Sequence, residues 1–234
     1  MNDGSSVDQA SSSLPVQRVQ TAAAPCCGGG TSESQALTSN VTAGDAIVVT
    51  IGWFTTAPGS TASIASVTDT LGNAFTLIPS SYALETNVAD YGNGNFYSEI
   101  AYAKASPPGA DTITFTLTGS VTFSLLYVVE TTPCTLDAAS GGNGSSGAPN
   151  AGTVTIAVDG ELAVAMTDMD PSTTATGSGL LPGPGWSMQS SGVAEAIFGQ
   201  EIEEAVPAGP LVGVFDGNGN SGQWMASMAA FESP

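Results

Sequence analysis

At 234 residues the chain has the length of one large β-sandwich or two small domains. Its formal charge is −19, from 21 Asp and Glu against Arg18 and Lys104 alone, and this excludes a nucleic-acid groove or an anionic membrane surface as partner, since both need clustered bases. No run of 18 apolar residues occurs that could insert into a bilayer, and the chain has no histidine, which removes imidazole acid–base chemistry and most transition-metal sites.

The opening residues, MNDGSSVDQASSSLP, have no basic stretch followed by an apolar one and therefore do not read as a signal peptide. Residues 1–22 are expected to form an N-terminal arm ending in an edge strand from Val16 to Ala22, with Val16 and Val19 as the apolar contacts that would engage a neighbouring copy by strand exchange. Cys26-Cys27 and three glycines break that strand. Adjacent cysteines rarely bridge each other, so one of the pair could join Cys134 and leave the other free or intermolecular, or all three could be buried reduced thiols.

Asp45 to Thr55 (DAIVVTIGWFT) reads as a buried strand. Residues 64–78 then look like a hairpin around the turn at Asp69–Asn73, and Phe96 to Ala103 follows a Gly/Asn loop. In Asp111 to Thr118 (DTITFTLT) the apolar residues alternate strictly with threonine, which gives one core face and one wet face. Val121 to Glu130 is read as the next strand, apolar enough to be central in its sheet. Asp137 to Asn150 (DAASGGNGSSGAPN) reads as a Gly/Ser-rich connection.

Beyond it the pattern recurs. Thr153–Asp168 parallels Val41–Trp53, Gly185–Ser190 parallels AFTLIP, and Ala194–Ile202 parallels FYSEIAYA. Pro207–Phe215 parallels Pro107–Phe115, and Gln223–Glu232 parallels the strand ending at Glu130. The segment AEAIFGQEIEEA is the nearest approach to a helix. The expected architecture is an all-β antiparallel sandwich of jelly-roll or Greek-key type. It has about eight strands from two similar four-strand halves, residues 41–137 and 151–234, in a single domain from 23 to 234.

The stretches GDAIVVTIGW, SVTDTLGNAFTLI, SEIAYAKASPPGADTITFTLTG and SLLYVVE resemble, in their order, β-sandwich modules of large secreted bacterial proteins and of phage structural proteins. That resemblance covers residues 16–233. It implies an exterior-facing jelly-roll or Ig-like domain and transfers no catalytic residue.

Three groups of oxygen-bearing side chains have calcium-like spacing. They are Asp216, Asn218 and Asn220; Asp90, Asn93 and Asn95; and Asp168 with Asp170. No Glu completes a twelve-residue EF-hand after Asp216, and the same residues suit hairpin turns. A carboxylate-pair glycoside hydrolase would draw on Glu99, Glu130, Glu195 or Glu201. Tyrosines at 82, 91, 97, 102 and 127 and tryptophans at 53, 186 and 224 could stack on sugars, although Trp53 and Trp224 are expected in the core. Asn40 and Asn143 begin glycosylation sequons. Together these features point to a non-enzymatic structural subunit of an extracellular filament, surface layer or virion exterior that assembles with copies of itself. A carbohydrate-binding adhesin of the cell surface is the alternative, and a glycosidase the third reading.

Overall fold

A computed structural model of the chain describes residues 14–24, 28–56, 59, 61–89, 92–104, 107–170, 179–191 and 197–234, excepting the side chains of 190, 191 and 197. Among these residues there are fourteen β-strands and no α-helix, so the count of about eight strands is too low. In chain order they are β1 (Arg18–Ala23), β2 (Gly28–Ala36), β3 (Ala46–Thr55), β4 (Ile64–Asp69), β5 (Thr76–Val88), β6 (Gly94–Ala103), β7 (Thr112–Thr131) and β8 (Thr135–Ser146). Then follow β9 (Asn150–Ile156), β10 (Glu161–Met169), β11 (Ser187–Ser191), β12 (Ile197–Val206), β13 (Gly209–Val214) and β14 (Gly222–Glu232). Among the described residues these strands pair antiparallel throughout.

Two sheets carry the sandwich. The first is ordered β1-β7-β3-β6-β5, and the second, read from its β8 edge, β8-β14-β10-β12-β11. Strand for strand the orders match. β3 corresponds to β10, β6 to β12, β5 to β11, and the second half of β7 to β14. Between the sheets lie Val48, Ile100 and Val129 from one side against Val164, Ile202 and Phe231 from the other. Phe54, Phe96 and Phe123 extend this layer toward Met166, Phe198 and Met225, with Phe54 and Phe96 edge to face at 5.0 Å between centroids.

Each sheet is also covered on its other face. The first half of β7 pairs with β2 and β4, and its Ile113 and Phe115 pack with Ile47, Val49 and Trp53 of β3. The β9–β13 ribbon does the same for the second sheet, where Val154 and Leu211 pack with Ala163 and Ala165 of β10. This double cover explains why β3 and β10 are buried at every position, and why their sequences are mostly apolar rather than alternating.

Several sequence expectations change accordingly. β4 and β5 do not form a hairpin, because β4 pairs with β7 and β5 with β6. Residues 112–131 are one strand rather than two. It alternates until about Phe123 and is buried on both sides thereafter, as it passes from the cover into the sheet. The helix-like segment is β strand from Ile197 onward, since its partners β10 and β11 flank it on both sides.

The largest departure is β8, in the stretch read as a connection. Its glycines are required by crowding: a Cβ on Gly141 would sit 2.3 Å from the Tyr82 carbonyl oxygen of the first sheet, and one on Gly142 would sit 2.4 Å from the Asn150 carbonyl oxygen. On Gly144 it would meet the Trp224 ring at 2.8 Å. β8 is glycine-rich because backbone approaches it on both faces.

Candidate functional site

The acidic side chains are placed in an unusual way: many of the carboxylates point inward. At one corner of each sheet a glycine with positive φ, Gly44 at 98° or Gly160 at 91°, turns the chain into the central strand, and the next residue is a buried acid, Asp45 or Glu161. Only glycine adopts such a φ without strain, which fixes where the acid falls.

At the first-sheet corner Asp45 meets Glu130 of β7. Glu130 accepts hydrogen bonds from the Thr42 amide (2.8 Å) and from Gln20 Nε2. Burial, then the Glu130 carboxylate, raises the Asp45 pKa to about 6. At the second-sheet corner Glu161 faces Asp137 of β8 and Glu232 of β14, the three carboxylates offering oxygens within 4.8 Å of one another. Asp137 is the extra residue of a β-bulge, since Leu136 pairs with Phe231 and Ala138 with Ala230. The bulge turns Asp137 to the same face as Glu161. Burial and the neighbouring acids push Glu161 up to about 7.

Two further groups lie deeper. Asp168 faces the inter-sheet layer, cross-strand from Phe198 and Met225, and burial followed by the Asp170 charge raises it to about 8. On the other face of the second sheet Glu201 accepts the Gly183 amide at 2.9 Å, and burial raises it to about 8, with Glu203 nearby.

The sequence-derived calcium groups are placed differently. Asp216 Oδ1 accepts the Asn218 amide at 2.7 Å, Asn218 has φ 52°, and Asn220 donates to the Gly217 carbonyl, which is the bonding of a tight hairpin turn. Asp90 lies outside the described residues. Asn93 takes a positive φ of 61°, while Asn95 accepts the Asn87 amide and donates to the Tyr97 hydroxyl. Asp168 and Asp170 are both buried.

Cys134 is a free buried thiol at 3.3 Å from Thr131 Oγ1, raised to about 11 by burial, and Cys26 and Cys27 lie outside the described residues. Val16 is buried between the two sheets and its amide donates to Gly160 O, whereas Val19 is exposed. Of the glycosidase candidates, Glu130 and Glu201 are fully buried in different sheets, Glu99 is raised by burial, and Glu195 lies outside the described residues.

Trp53, Trp186 and Trp224 are all buried. Trp53 stacks on Tyr97 with ring planes 1° apart. Tyr82, by contrast, is 41% exposed. With Tyr97, Asn95, Thr86 and Thr118 it lines a cavity of about 380 Å³ on the first sheet. The Asp137–Glu161–Glu232 corner was missed from sequence because its members are 95 residues apart; the legible signal was the recurrence of Gly-Asp and Gly-Glu before the two most apolar strands.

Fold and site define a two-sheet antiparallel β-sandwich, sealed on both outer faces, with clustered acids at the sheet corners. No protein-family model, no curated protein and no solved structure matches the chain.

Proposed function

We propose that the chain is a non-catalytic structural subunit of an extracellular filament, surface layer or virion exterior, joined to copies of itself through its N-terminal strand. The observation that carries this reading is the position of β1. It forms the margin of the first sheet, paired among the described residues only through β7, and it is anchored to the second sheet by Val16 beside Gly160 and by Arg18, which pairs with Glu204 at 3.3 Å. An identical strand from a neighbouring copy would fit the same slot and make the same bonds, which is the condition for strand exchange. One of only two basic residues in a chain of charge −19 would then bridge subunits. Light scattering of the intact chain and of a version lacking residues 1–22 tests this. Oligomers that dissociate on truncation, with the β circular-dichroism spectrum retained, are expected; equal assembly of both forms overturns the mechanism.

The Tyr82–Tyr97 cavity supports a second reading, a glycan-binding module, because an exposed aromatic ring beside hydroxyl and amide groups suits a sugar's apolar face and hydroxyl edge. Binding on a glycan array that disappears in Tyr82→Ala would favour it.

A further inference from the structure

The two sheet corners are equivalent in position but not in chemistry. In the first, the carboxylate of Glu130 is met by hydrogen-bond donors, the Thr42 amide and Gln20 Nε2. In the second, Glu161 is 0% exposed, and among the described residues no amide, hydroxyl or basic group donates to one of its oxygens, Oε2, which is buried against the neighbouring acids. What faces that carboxylate is two more carboxylates, Asp137 and Glu232, both half-buried. The available donors are already placed at the rim: the Ala157 amide on Asp137 Oδ2 at 3.1 Å and the Val158 amide on Glu161 Oε1 at 3.4 Å. Of the two basic residues in the chain, Arg18 is committed to Glu204 and Gln189.

In its charged form a buried carboxylate facing two others is costly unless a counter-charge reaches it. Three carboxylates converging on one volume supply oxygen ligands only, with neither sulfur nor imidazole, which selects a hard cation. We propose that Asp137, Glu161 and Glu232 bind a calcium ion. The ion ties β8, β10 and β14 together at one end of the second sheet, and the bulge in β8 exists to bring Asp137 to it. This proposal is independent of the assembly reading above.

Equilibrium dialysis with radioactive calcium at neutral pH, on the chelator-treated intact chain, tests the site together with thermal melts in the same buffers. At roughly millimolar calcium, uptake of one ion per chain and a rise in Tm are expected. Glu161→Gln and Asp137→Asn should each weaken uptake at least about tenfold and remove the Tm rise. Asp137 is half-buried, so its variant keeps the proposal testable if the Glu161 variant does not fold. Asp216→Asn should change neither. Absence of uptake, uptake unaffected by Asp137→Asn, or loss of uptake in Asp216→Asn overturns the proposal; the last would return the ion to the hairpin loop.

Discussion

Asp168 and Glu201 each sit in the second sheet with their pKa raised to about 8, and Asp45 and Glu161 are raised to about 6 and about 7. In the unfolded chain these groups ionise near their ordinary values, so between about pH 4 and pH 8 the folded state holds protons that the unfolded state releases. The stabilisation is fully present below the unfolded pKa and is lost as pH rises through the folded values. Urea midpoints without added calcium should therefore be higher at pH 5 than at pH 8.5, the reverse of ordinary acid denaturation. Asp168→Asn removes the ionisation of an acid buried in the inter-sheet layer and should raise stability at pH 8.5 by about 1–3 kcal/mol while changing little at pH 4. At the sandwich centre, Gln200 Nε2 donates to Thr50 Oγ1 at 2.9 Å, a buried bond that joins the two sheets. Thr50→Val leaves that amide unsatisfied and should cost about 1–3 kcal/mol in the same assay.

Among the elements, β8 shows how far local composition can mislead. Ser, Gly and Asn in succession ordinarily mark a loop, yet here they form a twelve-residue strand because Tyr82 O and Asn150 O come too close for side chains. Gly141→Ala should accordingly cost more than about 3 kcal/mol, whereas Gly119→Ala in β7, where a Cβ would meet its nearest neighbour only at 3.9 Å, should lie within about 1 kcal/mol of the parent. Chemical denaturation of the two variants side by side checks this. The alternating threonines of Thr112–Leu117 and the mostly apolar runs of β3 and β10 were legible because their patterning reports burial directly. The pairing of β4 with β7 rather than β5 was not, since it depends on β7 doubling back over its own sheet.

Across the whole molecule, the recurrence read from sequence identified segments that occupy equivalent places in two sheets of the same strand order. It underestimated the number of strands, because β2 and β8 are glycine-rich and β9 reads as one segment with β10. The acidic corners were not legible either, since Asp137, Glu161 and Glu232 meet only when β8, β14 and β10 are adjacent.

That shared order has a physical corollary. Residues 14–134 expressed alone would present Val48, Phe54, Ile100 and Val129 to water, and the surface best shaped to shelter them belongs to another molecule of the same fragment. Such a fragment is expected to sediment as a two-fold symmetric pair, in which a self-complementary contact stands in for the covalently joined partner that the intact polypeptide carries within itself.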